Sequence, residues 1–391
     1  MTAPTSFDAI ILGAGGAGLM CAATASQRGK RVLVVDHADE PGKKILISGG
    51  GRCNFTNTGT APDRYLSANP HFAKSALAGY TAADFVELVD RHGIAWHEKT
   101  LGQLFCDGSA RQIVRMLLDE CDGVEVALGH GIGDVSHADG QFHVSYGDRG
   151  ATAPALVVAT GGPSIPKLGA TGFAYDLARK FGLKIVEPRP ALVPLTLGQD
   201  ETLFRSLSGV ATPVIARAGK ASFREAALFT HRGLSGPAIL QVSSYWRHGE
   251  PVGIDFLPDA AAGWALAAKR DRPRSALRAV LGAHLPDRLA ETLAARLDLP
   301  GDVGNLADRR LAEAERALSD WRFTPNGSEG FAKAEVTAGG IATTGLSSRT
   351  MEARQVAGLY AIGEAVDVTG WLGGYNFQWA WASGVAAGNA V

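Results

Sequence analysis

A glycine-rich turn, Gly13-Ala-Gly15-Gly-Ala-Gly18, joins an apolar run, Asp8-Ala-Ile-Ile-Leu12, to a stretch of helical character from Leu19 to Arg28. Few local patterns restrict a fold so tightly. The unbroken apolar run suits a strand buried on both faces of a parallel sheet. Gly13 permits the tight turn off that strand, Gly15 lets the backbone approach a pyrophosphate, and Gly18 lets helix and strand pack closely. Gly16 and Ala17 supply free amides at the helix start, where the dipole favours an anion. Arg31-Val-Leu-Val-Val35 reads as a second strand. It ends at Asp36, eighteen residues beyond Gly18, where a carboxylate can accept ribose hydroxyls. These residues predict a βαβ dinucleotide-binding unit and leave NAD and FAD equally open.

The chain has 391 residues, more than one core usually fills, so several domains are expected. Thr81 is placed to cap a helix over 82–92, and Ser109 one over 110–121. Residues 124–128, 131–137 and 141–147 alternate and predict a β-meander. Residues 36–72 read as a loop. Pro188, Pro190 and Pro194 mark a break before β-rich segments, and residues 260–318 turn Ala/Leu/Arg-rich and helical. Apolar strands return at Ala155–Ala159, ending in Thr160-Gly161, and at Gly358–Ile362, ending in Gly363-Glu364. A last helix is expected from Asn376.

Four long segments then carry a resemblance: Ser48-Gly-Gly-Gly-Arg-Cys-Asn-Phe-Thr-Asn57, Phe229-Thr-His-Arg-Gly-Leu-Ser-Gly-Pro237, Val336-Thr-Ala-Gly-Gly-Ile341 and Gly370-Trp-Leu-Gly-Gly-Tyr-Asn-Phe-Gln378. In this order, over essentially the whole chain, they resemble the bacterial NAD(FAD)-utilising dehydrogenase flavoproteins, a group that includes 3-dehydro-bile-acid reductases. Many relatives carry Gly-Arg-x-Phe-Pro where this chain has Gly102-Gln-Leu-Phe-Cys106. The resemblance implies an α/β fold: a glutathione-reductase-like, Rossmann-type FAD domain over 1–190 and 337–391. It also implies a β-barrel-like insert over 191–257 and 321–336, and a helical subdomain over 258–320. It favours non-covalent FAD over NAD as the resident cofactor.

Within that frame Glu364 matches the acid that contacts the ribityl chain, with Asp367 close behind. Ile132, in the Gly129-x-Gly131-x-Gly133 segment, falls where such proteins pass a strand by the adenine. Three consecutive glycines cost backbone entropy, so Gly49, Gly50 and Gly51 imply positive φ or close ligand approach. Ser48 to Asn54 is read as wrapping the diphosphate and ribityl region, with Lys43 or Lys44 and Arg52 near the phosphates. Gly374, Tyr375 and Asn376 open the last helix, whose amides are expected to face the flavin N1/O2 edge, where reduced flavin is negative. Cys53, His231 and Tyr375 are the weak catalytic candidates; for Cys53 and His231 a packing or structural role weighs more. Trp371, Trp379 and Trp381 read as core more readily than as a substrate platform. The run Lys269-Arg270-Asp271-Arg272-Pro273-Arg274 reads as a solvated helix end.

Charge decides among function classes. Lys and Arg number 38 against 39 Asp and Glu, a net charge of −1, which argues against nucleic acid as the main partner. The four cysteines show no Cys-x-x-Cys pair, so neither a disulfide framework nor a metal site is expected. No signal-like segment and no apolar stretch of ~20 residues appears, so a cytoplasmic protein away from membranes is expected. The leading expectation is an FAD oxidoreductase that passes hydride from a donor to a small organic acceptor such as a conjugated ketone. No second glycine motif lies between a strand and a helix, so NAD(P)H is expected to bind only transiently. Flavin-dependent RNA modification and a non-catalytic redox sensor remain the alternatives. Oligomeric state is not legible.

Overall fold

The computed structural model describes residues 4–198, 201, 204 and 206–391. The chain divides into two compact units, Met1–Arg189 with Val336–Val391, and Pro190–Glu335.

The first unit is built on a five-stranded, all-parallel sheet in the order Leu359–Ala361, Ala155–Val158, Ala9–Leu12, Val32–Val35, Glu125–Ala127. All residues of the three central strands are buried, which is why their sequences are continuous apolar runs. Leu12 pairs with both Val35 and Val158, and Val158 with Ala361, so the strand tips end in register along one edge. In open α/β sheets that carboxyl edge is where ligands bind.

The helix Gly16–Ser26 follows the first strand, and the last helix, Tyr375–Gly388, packs along it. Their backbones meet through missing side chains. A Cβ on Gly384 would come within 2.6 Å of the Ala17 carbonyl oxygen, and one on Gly388 within 2.7 Å of that of Cys21. Gly16 in turn faces the Trp381 ring. Early residues face early residues, so the two helices run parallel and open their N-termini at the same end.

Several local expectations change. The helices Ala82–Arg91 and Ala110–Asp119 form with capping boxes at Thr81/Asp84 and Ser109/Gln112. Glu125–Ala127, expected in the meander, instead joins the parallel sheet; the meander proper is Ile132–Ala138, Gln141–Tyr146 and Arg149–Ala153. Three residues are too short for alternation to tell an edge strand of one sheet from that of another. The expected loop 36–72 contains a helix, Lys43–Ile47, and a strand, Asn54–Asn57, which pairs with Gln103–Cys106 and through it with Trp96–Glu98. Pro188 and Pro190 do not break the chain but lie in the strand Ile185–Ala191 of a two-stranded sheet, where a proline can face an open edge.

The second unit holds a seven-stranded sheet whose strands lie between Leu195 and Ser328, around the stacked and edge-on rings of Phe204, Phe229, Phe256 and Phe323. Val252–Asp255 and Trp321–Phe323 pair directly. The helices Trp264–Asp271, Leu277–Leu281, Asp287–Leu297 and Asp308–Ser319 are one excursion between these two neighbouring strands. Among the described residues no helix is long and apolar enough to cross a membrane.

Candidate cofactor and substrate site

The glycine turn lies at the carboxyl edge of the parallel sheet, and its glycines differ physically. Gly13 stands at φ 111°, and a Cβ there would meet the Ala159 carbonyl oxygen at 2.5 Å. A Cβ on Gly18 would collide with the carbonyl of Gly13. On Gly15 it would meet nothing within 4 Å. Two glycines are therefore packed shut and one faces open space. Asp36 spans the turn: one carboxylate oxygen accepts from the Ala14 amide at 2.7 Å, the other from the Ala38 amide at 2.8 Å. It thus braces the glycine loop, a role its spacing alone does not reveal. Gly129 and His130 bond the Ala38 and Asp36 carbonyls, which brings the segment leading to Ile132 beside this corner.

A second cluster joins four distant segments. Lys44 Nζ donates to Glu364 Oε2 at 2.5 Å and contacts Ser164 Oγ at the same distance. Glu364 Oε1 accepts from Ser164 Oγ at 2.5 Å and from the Thr337 amide at 3.0 Å. Around them the hydroxyls of Thr160, Tyr175 and Thr337 are buried with no hydrogen-bond partner among the described residues. Burial, and then Glu364, push the Tyr175 phenol well above its ordinary pKa, so it stays protonated. Asp367 is buried, accepts from the Ala68 amide at 2.8 Å and has its pKa raised by that burial. Lys43, by contrast, turns to Asp39 at 2.9 Å. Gly363 packs against Ala17, and its amide donates to Ser383 Oγ.

Gly49, Gly50 and Gly51 all adopt positive φ, at 56°, 66° and 85°. Gly50, like Gly161, leaves room for any neighbour, since a Cβ on either would meet nothing within 4 Å. Ser48 Oγ donates to the Ile45 carbonyl, and Arg52 is exposed with no acidic partner among the described residues. Cys53 is fully buried, and burial pushes its thiol far above the ordinary range. Burial disfavours the thiolate and favours a packing role for Cys53. The Asn54 side chain meets that of Gln103 at 3.1 Å.

The last helix starts at Tyr375, one residue earlier than the sequence predicts, from Gly374 at φ 95°. The ladder closes first from Gln378 onto Gly374, so the amides before it have no intrahelical acceptor. Asn376 does not face outward: its side chain bonds both Gly370 backbone groups and the Trp371 carbonyl. Arg64 donates to the Tyr375 hydroxyl at 2.6 Å, and its guanidinium lies 5.4 Å from the Trp371 ring and 5.9 Å from the Tyr375 ring. Trp379 and Trp381 are core residues whose indoles donate to the Gly363 and Phe55 carbonyls.

His231 belongs to the second unit and is exposed there, while Cys53 and Tyr375 belong to the first. Ser164, Thr337, Arg64, Asn57 and Tyr175 escaped the sequence reading. Ser164 comes two residues after the glycine pair that follows Thr160, and Thr337 is the second residue of the Val336–Ile341 segment; their positions in or beside recognised motifs were the available signal.

A glycine with open space before a helix N-terminus, unpartnered buried hydroxyls, a free Arg52 and a carboxylate–ammonium hub suit a flavin dinucleotide with its phosphates and polyol. Fold and site define a Rossmann-type FAD-binding flavoprotein. The chain belongs to the family described as "HI0933-like protein Rossmann domain", which matches residues 7–390. It is 53% identical over 388 residues to the ribosomal RNA dihydrouridine synthase of Escherichia coli (strain K12), covering 96% of each chain. It is 47% identical to the protein of that name from Haemophilus influenzae, covering 98% of each. A 3-dehydro-bile acid delta(4,6)-reductase of Clostridium scindens is 30% identical over 97% of this chain and 98% of its own. A solved quinol–fumarate reductase shares the fold with a TM-score of 0.51 at 15% identity, over 100% of this chain and 71% of its own.

These relatives correct two expectations. A small organic acceptor and the absence of a nucleic-acid partner do not stand beside two full-length relatives, near half identical, that are named for ribosomal RNA. The charge argument failed because a net charge is a sum. Arg270, Arg272 and Arg274 are all exposed and without an acidic partner among the described residues, while acids elsewhere cancel them in the total.

Proposed function

We propose that this protein is a flavin-dependent enzyme that reduces the 5,6-double bond of a uridine in ribosomal RNA. The observation that carries this reading is the identity of 53% and 47% to full-length relatives named ribosomal RNA dihydrouridine synthase. The chemistry is continuous with that of the bile-acid reductase, since uracil C5=C6 is conjugated with the C4 carbonyl just as an enone is. When bound, reduced FAD supplies a hydride, and C6 is the electron-poor carbon that takes it. The charge then delocalises onto O4, and a proton must arrive at C5.

The residues of the first unit divide this work. The Gly13–Gly18 turn, Asp36 and Ile132 hold the adenosine and diphosphate end. Ser48–Asn54, with Arg52 beside the phosphates, closes over the middle of the cofactor. Lys44, Ser164, Thr337 and Glu364 hold the polyol, with Thr160, Gly161, Tyr175, Gly363 and Asp367 around it. The amides that open the last helix at Gly374 and Tyr375 stabilise negative charge on the ring. Tyr375 is the proton donor that the geometry favours: its oxygen accepts from Arg64, which leaves its own proton to be given. The burial of Cys53 supports a packing role for it instead. Arg270, Arg272 and Arg274 contact RNA phosphates. NAD(P)H is the transient reductant, and the reaction is cytoplasmic.

The test uses ribosomal RNA from a strain lacking the gene, incubated with purified holoenzyme and NADPH or NADH, then digested to nucleosides for mass spectrometry. A gain of two mass units in one mapped uridine is the expected result. No dihydrouridine with either reductant, in a preparation whose flavin is demonstrably reduced, overturns the reading.

A further inference from the structure

We propose that Leu101 is a wedge that fills the base stack when the target uridine leaves it. The proposal rests on the RNA-reducing function above and adds how a structured RNA gives up its base.

The tip of the hairpin between Trp96–Glu98 and Gln103–Cys106 is Thr100-Leu101-Gly102. Leu101 stands at φ 58° and ψ 34°, a left-handed conformation that a bulky residue rarely adopts. It is also 64% exposed, more than any other large hydrophobic residue among those described. Glycine or asparagine would meet the backbone demand with less strain, and any polar residue would suit water better. An isolated apolar side chain on a surface needs no explanation. One held in water at a backbone angle that opposes it, on a rigid support, does.

The support is specific. Asn57 is 1% exposed, and its Nδ2 donates both to the Leu101 carbonyl at 3.1 Å and to the Gly373 carbonyl at 2.8 Å. Its Oδ1 accepts from the Gly59 amide at 2.8 Å. One buried amide thus ties the leucine tip to the turn that opens the last helix. The Gly102 carbonyl accepts from the Thr58 amide at 2.9 Å, and the Lys99 amide donates to the Gln103 carbonyl at 2.8 Å, so the tip is clamped on both sides. Gly59 lies against Arg64 Nη1 and the Tyr375 hydroxyl, which a Cβ there would meet at 2.5 and 3.2 Å. The exposed leucine, the Trp371–Arg64–Tyr375 group and the helix opening are therefore neighbours around Asn57.

Enzymes that react at an atom of a stacked base take the base out of the helix, and side chains such as leucine inserted between base steps hold the gap. Leu101 has the chemistry and the rigidity for this. The Trp371 ring, with the Arg64 guanidinium against it, offers a flat, cationic platform for the extruded pyrimidine.

The experiment compares wild type with Leu101→Gly, which relieves the backbone strain, and Leu101→Ala. FAD content and melting temperature are read first and should not fall. Dihydrouridine formation is then measured on folded ribosomal RNA and on a short single strand carrying the mapped uridine. The variants should lose about tenfold or more on the folded RNA and no more than about twofold on the single strand, which has little stacking to break. A folded fragment with 2-aminopurine next to the target should brighten on binding wild type and stay dark with Leu101→Gly; this arm decides if the single strand is not a substrate. Equal losses on both RNAs, no loss on either, or equal brightening with both proteins would overturn the proposal. If wild type forms no dihydrouridine in folded RNA, the functional reading fails first and the wedge falls with it.

Discussion

Lys44 and Glu364 lie 320 residues apart in the chain and meet at 2.5 Å. Their side chains are 32% and 19% exposed, so the pair is neither a solvated surface bridge nor a sealed one. Ser164 and the Thr337 amide occupy the remaining carboxylate oxygen. A double-mutant cycle with Lys44→Met and Glu364→Gln should show a coupling of about 1 kcal/mol by thermal melting, after allowance for solvent screening. Both single variants should also release FAD on gel filtration. Additive effects on melting and full FAD occupancy would separate this pair from cofactor binding.

The glycines permit a cleaner separation of fold from ligand. Gly15→Ala adds a methyl into open space at φ −82°, so apoprotein melting should stay within about 0.5 kcal/mol of wild type while FAD affinity drops. Gly18→Ala drives a methyl into the Gly13 carbonyl and should destabilise the apoprotein itself. Gly374→Val, at the turn expected to face the flavin edge, would strike the Thr56 backbone and so should lower apoprotein stability as well as FAD affinity. Gly263→Val, at φ 80° with nothing nearby, should cost some stability yet leave the flavin spectrum unchanged. Calorimetry of apo and FAD-loaded forms checks all four.

Tyr375→Phe removes the proposed proton and keeps the ring that contacts Tyr65 and Trp371. The rate of dihydrouridine formation should fall about 10²–10⁴-fold. FAD content and the rate at which NAD(P)H bleaches the flavin should not change. A variant retaining more than a tenth of the wild-type rate would assign the proton to another group.

Replacing Arg270, Arg272 and Arg274 together by Ala should weaken RNA binding at low salt and flatten the log–log salt dependence by about two to three. Binding measured by filter retention over a salt series checks this. A slope equal to that of wild type would return these residues to the status of a solvated helix end.

All four cysteines are buried, and burial raises every thiol, Cys106 and Cys121 to about 12. Iodoacetamide at pH 8 should label none of them in the folded protein and all four after denaturation, with peptide mass spectrometry as the readout. Rapid labelling of native Cys53 would contradict its burial.

The parts of the fold visible in the sequence are those in which one local constraint has one solution. The Gly13–Gly18 turn, the buried runs 9–12, 32–35 and 155–158, and the capping boxes at Thr81 and Ser109 are of this kind. Glu125–Ala127 was misplaced because sheet membership is decided by the partner, and three residues do not name one. Asn54–Asn57 was hidden by the glycines before it and shows no alternation, since Phe55, Thr56 and Asn57 are all buried. At the site, acids at fixed spacing such as Asp36 and Glu364 stood out, whereas Asn57 and Ser164 matter through contacts with residues far along the chain. The sequence marked Asn376 for its place at the helix start and said nothing of its side chain, which turns back onto Gly370 and Trp371. Summed charge gave no sign of the RNA for which two full-length relatives are named, because it discards position.

The parallel packing of Gly16–Ser26 against Tyr375–Gly388 sets an order of events during synthesis. The first βαβ unit emerges early, yet the helix that closes over it and the strand Leu359–Ala361 that covers Ala155–Val158 are made only after the second unit has been translated. At roughly 5–20 residues per second the interval is on the order of tens of seconds. Through that time an apolar helix face and an open parallel edge stand without their partners. The second unit can fold meanwhile, since all seven strands of its sheet lie within it. A nascent chain arrested before residue 359 should therefore be the species that chaperones hold, and one extended past residue 388 the first that can retain a flavin.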